Sequence, residues 1–137
     1  MERMIFVNLP VKDLATSMAF YEAIGATNDP TFTDDSAAMM RFSDAICVML
    51  LTHERFASFT KRTIPNAHQS AQVLLALSTG GREEVDDLAA RAAKAGGTAD
   101  PNPPQDYGFM YSRSIADPDG HIWEPAWMDM SAIPQPA

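Results

Sequence analysis

A chain of 137 residues, 46% apolar and 20% charged, suits one compact globular domain with a core of its own. A net charge of −8 excludes the clustered Lys and Arg that nucleic-acid phosphates and anionic membrane surfaces require, so neither is an expected partner. One cysteine excludes an intrachain disulfide and a Cys-rich zinc site, and Cys47 within Ile46 to Leu50 reads as a small buried hydrophobe.

The opening residues carry no signal-peptide or membrane-spanning pattern, so the cytoplasm is the expected compartment. Met4 to Leu9 reads as a strand that Pro10 ends. Asp13 has the character of a helix N-cap. Leu14, Met18 and Tyr21 then recur at i, i+4 and i+7 on one apolar face, Phe20 flanks it, and Gly25 closes the helix. Thr27 to Thr33 is a weak strand interrupted by Pro30. Ala37 to Phe42 and Ala45 to Thr52 are two more strands about a turn at Ser43-Asp44. The order is βαβββ.

The second half repeats it. Gln72 to Ser78 reads as a strand. Glu83 and Glu84 open a helix at its positive end, Val85, Leu88, Ala89 and Ala92 form its buried face, and Gly96-Gly97 ends it. Thr98 to Pro101 is a strand, Asn102 to Tyr107 a Pro-rich loop, and Phe109 to Ile115 with Ile122 to Met128 a closing hairpin about Asp117-Pro118-Asp119-Gly120. Gly25 to Pro30 matches Gly96 to Pro101 at four of six positions, and the same offset sets Leu14 on Val85, Met18 on Ala89 and Tyr21 on Ala92. The chain therefore reads as a duplicated unit, about residues 4–53 and 71–129, followed by a mobile tail over 131–137. Two βαβββ modules imply an α+β fold: a curved mixed sheet with helices on one face and a concave face left free.

Alternation along the last strand puts Ile122, Glu124 and Ala126 on one face and Trp123, Pro125 and Trp127 on the other. The tryptophans belong under the helices, so Glu124 is expected in the hollow. Of the three histidines, His53 is expected near the hollow, His68 in an exposed connection, and His121 in solvent after the turn. Tyr107-Gly108-Phe109 has the character of a lid or a dimer contact, and the methionines that of gap fillers.

Val11-Lys12-Asp13-Leu14, Ser17, Phe20-Tyr21 and Gly25 resemble the opening helix of the glyoxalase and bleomycin-resistance proteins, the vicinal oxygen chelate superfamily. Asp117 to Glu124 resembles its closing hairpin. Leu50-Leu51-Thr52-His53, with the ending Trp127-Met128-Asp129, resembles a bacterial branch labelled predicted lactoylglutathione lyase. The resemblance implies metal-ligand positions at Phe6, Leu50, Leu74 and Glu124, of which only Glu124 has a donor atom. Asn8 and Thr52 share parity with Phe6 and Leu50, and Ser78 with Leu74. With Tyr111 and Arg113 of the hairpin they complete the expected pocket, where Arg113 is a candidate partner for Glu124.

The resulting expectation is small-molecule binding in the concave cleft, with no cofactor and with Glu124 as acid, base or anchor for a ligand cation. Two alternatives stand beside it. One is a metal-dependent lyase or isomerase of the lactoylglutathione type, with zinc or nickel held by Glu124 and His53. The other is sequestration of a cationic antibiotic. The resemblance also implies a homodimer.

Overall fold

The computed structural model describes residues 1–132 as an α+β fold in which each half contributes one sheet and one long helix. The first half runs β1 (Ile5–Val11), α1 (Leu14–Ala23), β2 (Thr27–Asp29), β3 (Ala37–Arg41) and β4 (Ile46–Thr52). A short helix, α2 (His53–Ala57), leads into a connection over residues 58–74. The second half runs β5 (Leu75–Ser78), α3 (Arg82–Lys94), β6 (Thr98–Ala99), β7 (Gln105–Asp106), β8 (Met110–Ser112), β9 (Ile115–Ala116) and β10 (Ile122–Met128). No helix among the described residues is long and apolar enough to cross a membrane.

The sheets share a plan. In the first the order is β1-β4-β3-β2, with β1 and β4 parallel and the other pairs antiparallel. In the second the order is β6-β9-β10-β8-β7, and β5 joins β10 in parallel. Asp13 caps α1 by accepting from the Thr16 N–H at 2.9 Å, and Gly25 and Gly96, each with positive φ, follow the two long helices at equivalent points.

Several element bounds differ from the sequence reading, each for a local reason. Pro10 does not end β1: it lies on an edge strand paired only to β4, where its missing N–H costs no ladder bond. Pro30 cuts the second strand to Thr27–Asp29 and starts a 3-10 turn, Pro30–Phe32. The Gln72 to Ser78 segment is a strand only from Leu75, the stretch that meets β10. The Phe109 to Ile115 strand breaks at Arg113-Ser114, where the Ser114 hydroxyl instead donates to the Asn102 carbonyl at 2.9 Å. Met130–Ala132 is a 3-10 turn, and the rest of the expected tail lies outside the described residues.

The core lies between the sheets and the two long helices. Phe20 and Tyr21 of α1 are fully buried and drive into the second half, with Tyr21 edge-on to Trp123 and Ile115 in the same cluster. Ala89 and Ala92 of α3 complete the seam. Gly97 makes the fit possible, because a Cβ there would collide with the Ala116 carbonyl and the Phe20 ring. Tyr21 also carries the polar junction of the halves. Its hydroxyl donates to Asp117 Oδ2 at 2.6 Å and accepts from Trp123 Nε1 at 3.0 Å. Asp117 Oδ1 accepts from the Asp119 and His121 N–H groups, closing the Asp117–Gly120 turn.

Candidate functional site

Register decides which side chains face the helices. Val7, Leu9, Val48 and Leu50 lie in or against the core, and so do Trp123, Leu75 and Leu77. The opposite face of the first sheet carries Phe6, Asn8 and Met49 beside buried Met39, Cys47 and Leu51, and that of the second carries Ile122, Glu124, Ala126, Ala76 and Ser78. Glu124 is half-buried opposite Ala76, and it makes no ion pair among the described residues. Phe6 and Leu74 are about half exposed, at 47% and 50%.

The free faces therefore gather Phe6 and Asn8 on one sheet and Glu124, Leu74 and Ser78 on the other. Four expected pocket residues lie elsewhere. Leu50 is fully buried on the helix side, opposite Leu9 and Ala38, and Met49 takes the outward place. Thr52 pairs with buried Val11, and its hydroxyl caps α2 by accepting from the Arg55 N–H at 3.2 Å. Tyr111 and Arg113 face α3. The Tyr111 hydroxyl donates to Asp86 at 2.6 Å, and the Arg113 guanidinium forks onto Asp100 at 3.0 and 2.7 Å with a third bond to Asp86 at 3.0 Å. Arg113 is thus not the partner of Glu124.

These contacts belong to a charged edge that the sequence reading did not find. Arg82 lies over the rings of Tyr111 and Trp127 and forks onto Asp106 at 2.9 and 2.8 Å. That hydrogen bonding holds the Asp106 carboxyl down to about 2, and the Tyr111 and Arg113 bonds lower Asp86. The edge ties the Pro-rich loop and β8 to α3. Tyr107 in that loop is exposed.

The donor set does not fit a glyoxalase-type metal. Phe6 and Ala76 offer no ligand atom beside Glu124 and Met49 only a soft thioether sulfur, and among the described residues no three His, Cys, Asp or Glu side chains are grouped to hold an ion. His53 opens α2 rather than continuing β4, and it borders a different cleft, between the N-terminal end of α1 and the Asp117–Gly120 turn. His121, expected in solvent, is half-buried with Nε2 2.8 Å from the Pro10 carbonyl.

The architecture has known counterparts. A hypothetical protein from S. aureus is 24% identical with a TM-score of 0.77, covering 93% of this chain and 94% of that one. A glyoxalase-related enzyme from Fulvimarina pelagi is 23% identical at TM-score 0.75, covering 93% and 88%. The fosfomycin resistance protein FosX from Mesorhizobium loti is 17% identical at TM-score 0.68, covering 96% of each. At these identities the likeness is one of fold. No curated protein matches the sequence. The sequence profile of the Glyoxalase/Bleomycin resistance protein/Dioxygenase superfamily, however, matches residues 3–124, nearly the whole chain. With its two βαβββ halves and their shared sheet plan, this protein belongs to that superfamily.

Proposed function

We infer that the chain binds a small organic molecule against the free face of the second sheet, with Glu124 as its polar centre and without a glyoxalase-type metal. The observation that carries this reading is a half-buried Glu124 with no ion pair among the described residues, flanked on its face by Ile122 and Ala126 and paired to Ala76. Small and apolar neighbours leave room for a ligand and give an anion little competition for a partner. Such a group anchors a ligand ammonium or exchanges a proton with a bound substrate. The lactoylglutathione lyase reading has less support, because its chemistry needs a Lewis acid and the free faces lack the donors to hold one.

A second copy of the chain is part of the proposal. Phe6, Val73, Leu74 and Met128 are all more than two-fifths exposed, an apolar surface that an isolated chain gains by covering. A homodimer that buries it would also roof the Glu124 face.

The test is a thermal-shift screen of small amines, carboxylic acids and cationic glycopeptide antibiotics against the wild type and Glu124→Gln. Ligands that stabilise only the wild type support the reading, and their class decides between anchor and proton carrier. A screen whose every hit stabilises both proteins equally refutes it. Light scattering on Phe6→Glu tests the dimer: the variant is expected as a monomer, and an unchanged mass overturns that part.

A further inference from the structure

All three histidines of the chain, His53, His68 and His121, line one cleft of about 570 Å³ away from the Glu124 face. They come from the start of α2, the 58–74 connection and the turn before β10, and nothing in the βαβββ repeat requires them to meet. The connection is held close. A Cβ on Gly120, whose φ is +96°, would lie 2.6 Å from the His68 backbone nitrogen and 2.7 Å from the Ala67 carbonyl carbon.

The ring nitrogens are partly committed. His121 Nε2 lies 2.8 Å from the Pro10 carbonyl and His68 Nε2 3.2 Å from the Pro118 carbonyl. A carbonyl only accepts, so each Nε2 carries a proton and each Nδ1 is left for another partner. The carboxylates in the walls already have donors. Asp119 accepts from the Lys12 N–H at 2.8 Å and the Ser17 hydroxyl at 3.2 Å, and Asp13 caps α1. The Lys12 ammonium makes no ion pair among the described residues.

A second cavity of about 220 Å³ adjoins this cleft and shares Pro10, Pro65, Ala67 and His121 with it. Its remaining walls are mainly apolar, with Leu9, Phe56, Leu75 and Ile122 among them. One imidazole thus borders both a polar chamber and an apolar one.

We propose that these two chambers form a binding site for an amphipathic organic anion, a carboxylate bearing a short acyl chain or an aryl group. The carboxylate lies among Lys12 and the imidazoles, and the apolar part fills the second chamber. Charge-assisted bonds to ammonium and imidazolium hold the head, and removal from water holds the tail.

The cleft reverses its charge on taking up protons. With neutral imidazoles, Lys12 faces Asp13 and Asp119 and the walls are net negative; with three imidazolium rings they are net positive. Asp117 accepts from the His121 backbone N–H at 2.9 Å, while Glu54 and Arg55 follow His53 on α2 with opposite charges. A bound carboxylate favours the charged form of each ring it meets, so anion binding is coupled to proton uptake and strengthens with acidity.

The two chambers meet the Glu124 face only at Ile122, and the site is tested separately. The full chain is titrated with octanoate and phenylacetate at pH values near 5.5 and 7.5 while NMR follows the imidazole resonances. None of the three rings is on the Glu124 face, so their response reads this cleft. Saturable shifts are expected, with affinity about tenfold higher at the lower pH and about tenfold weaker in Lys12→Met, the loss of one charge-assisted bond. Octanol, the neutral arm, should bind more weakly and without pH dependence. Ala71→Asp, an exposed wall residue of the apolar chamber outside the proposed dimer surface, should weaken octanoate while leaving the fold intact. A response to only one carboxylate assigns the acyl or the aryl class. The proposal is overturned if octanol or octylamine binds as tightly as octanoate at the lower pH, or if neither carboxylate moves any imidazole resonance.

Discussion

Replacing Tyr21 by Phe removes one oxygen from a fully buried junction and leaves the ring in place. Two bonds go with it. The donation to Asp117 is a bond to a carboxylate, worth about 1.5–3 kcal/mol. The Trp123 Nε1–H, 3% exposed with its residue, loses its acceptor, and a buried donor left unpaired costs about 1–3 kcal/mol. Together they remove roughly 2.5–6 kcal/mol from a fold whose total stability is of order 5–15 kcal/mol. For a chain of this size that lowers Tm by roughly 9–21 °C.

The same substitution has a pH signature. Burial raises the Asp117 carboxyl above the ordinary carboxylate range, with the charge of His121 and the Tyr21 bond pulling the other way. The folded chain thus holds that proton to higher pH than the unfolded chain does. The favourable contribution of protonation is fully present below the unfolded value and is lost as pH rises through the folded one. Losing the Tyr21 bond raises the folded value further, so the variant's deficit shrinks on acidification. Urea denaturation followed by tryptophan fluorescence, near neutrality and in mild acid, measures both effects. A deficit under about 1 kcal/mol at neutral pH, or one that widens in acid, refutes the account of the junction.

Other substitutions test other contacts. Gly120→Ala forces a Cβ into the 58–74 connection at positive φ, and should cost about 2–4 kcal/mol in a urea melt. Arg82→Met should raise the Asp106 carboxyl from about 2 part of the way toward its ordinary 3.8 in an NMR titration, the Gly108 N–H still donating to it at 2.9 Å. The stability that Arg82 gives through this pair is present above the ordinary value and lost as pH falls toward about 2, so the variant should differ from wild type least in strong acid. Arg113→Met should destabilise the fold by about 1–3 kcal/mol through Asp100 and Asp86, while leaving Glu124-dependent ligand stabilisation unchanged. Loss of that ligand response would return Arg113 to the site.

Where a residue's role was written in local periodicity, the sequence revealed it. The helix faces, the glycine ends, the duplicated order and the split of Trp123 from Glu124 all rest on spacing within one element. Strand β4 defeated the same logic. Ile46 to Leu51 is apolar at every position, so no alternation distinguishes Leu50 from Met49, and register with β1 alone decides. Tyr111 and Arg113 were misplaced because their acidic partners lie on α3 and after β6, a pairing set by tertiary distance. The meeting of three histidines depends on a connection with no period of its own, held by contact with a glycine some fifty residues away.

The two long helices differ most in bulk at the seam. At matching positions of the repeat, α1 presents Tyr21 where α3 presents Ala92, and Met18 where α3 presents Ala89. One half is a wedge and the other its socket. A chain assembled from two first halves would set wedge against wedge, and one from two second halves would enclose a void. The two repeats thus hold a fixed division of labour, in which matching volumes keep each in its place alongside the hydrogen bonds of Tyr21.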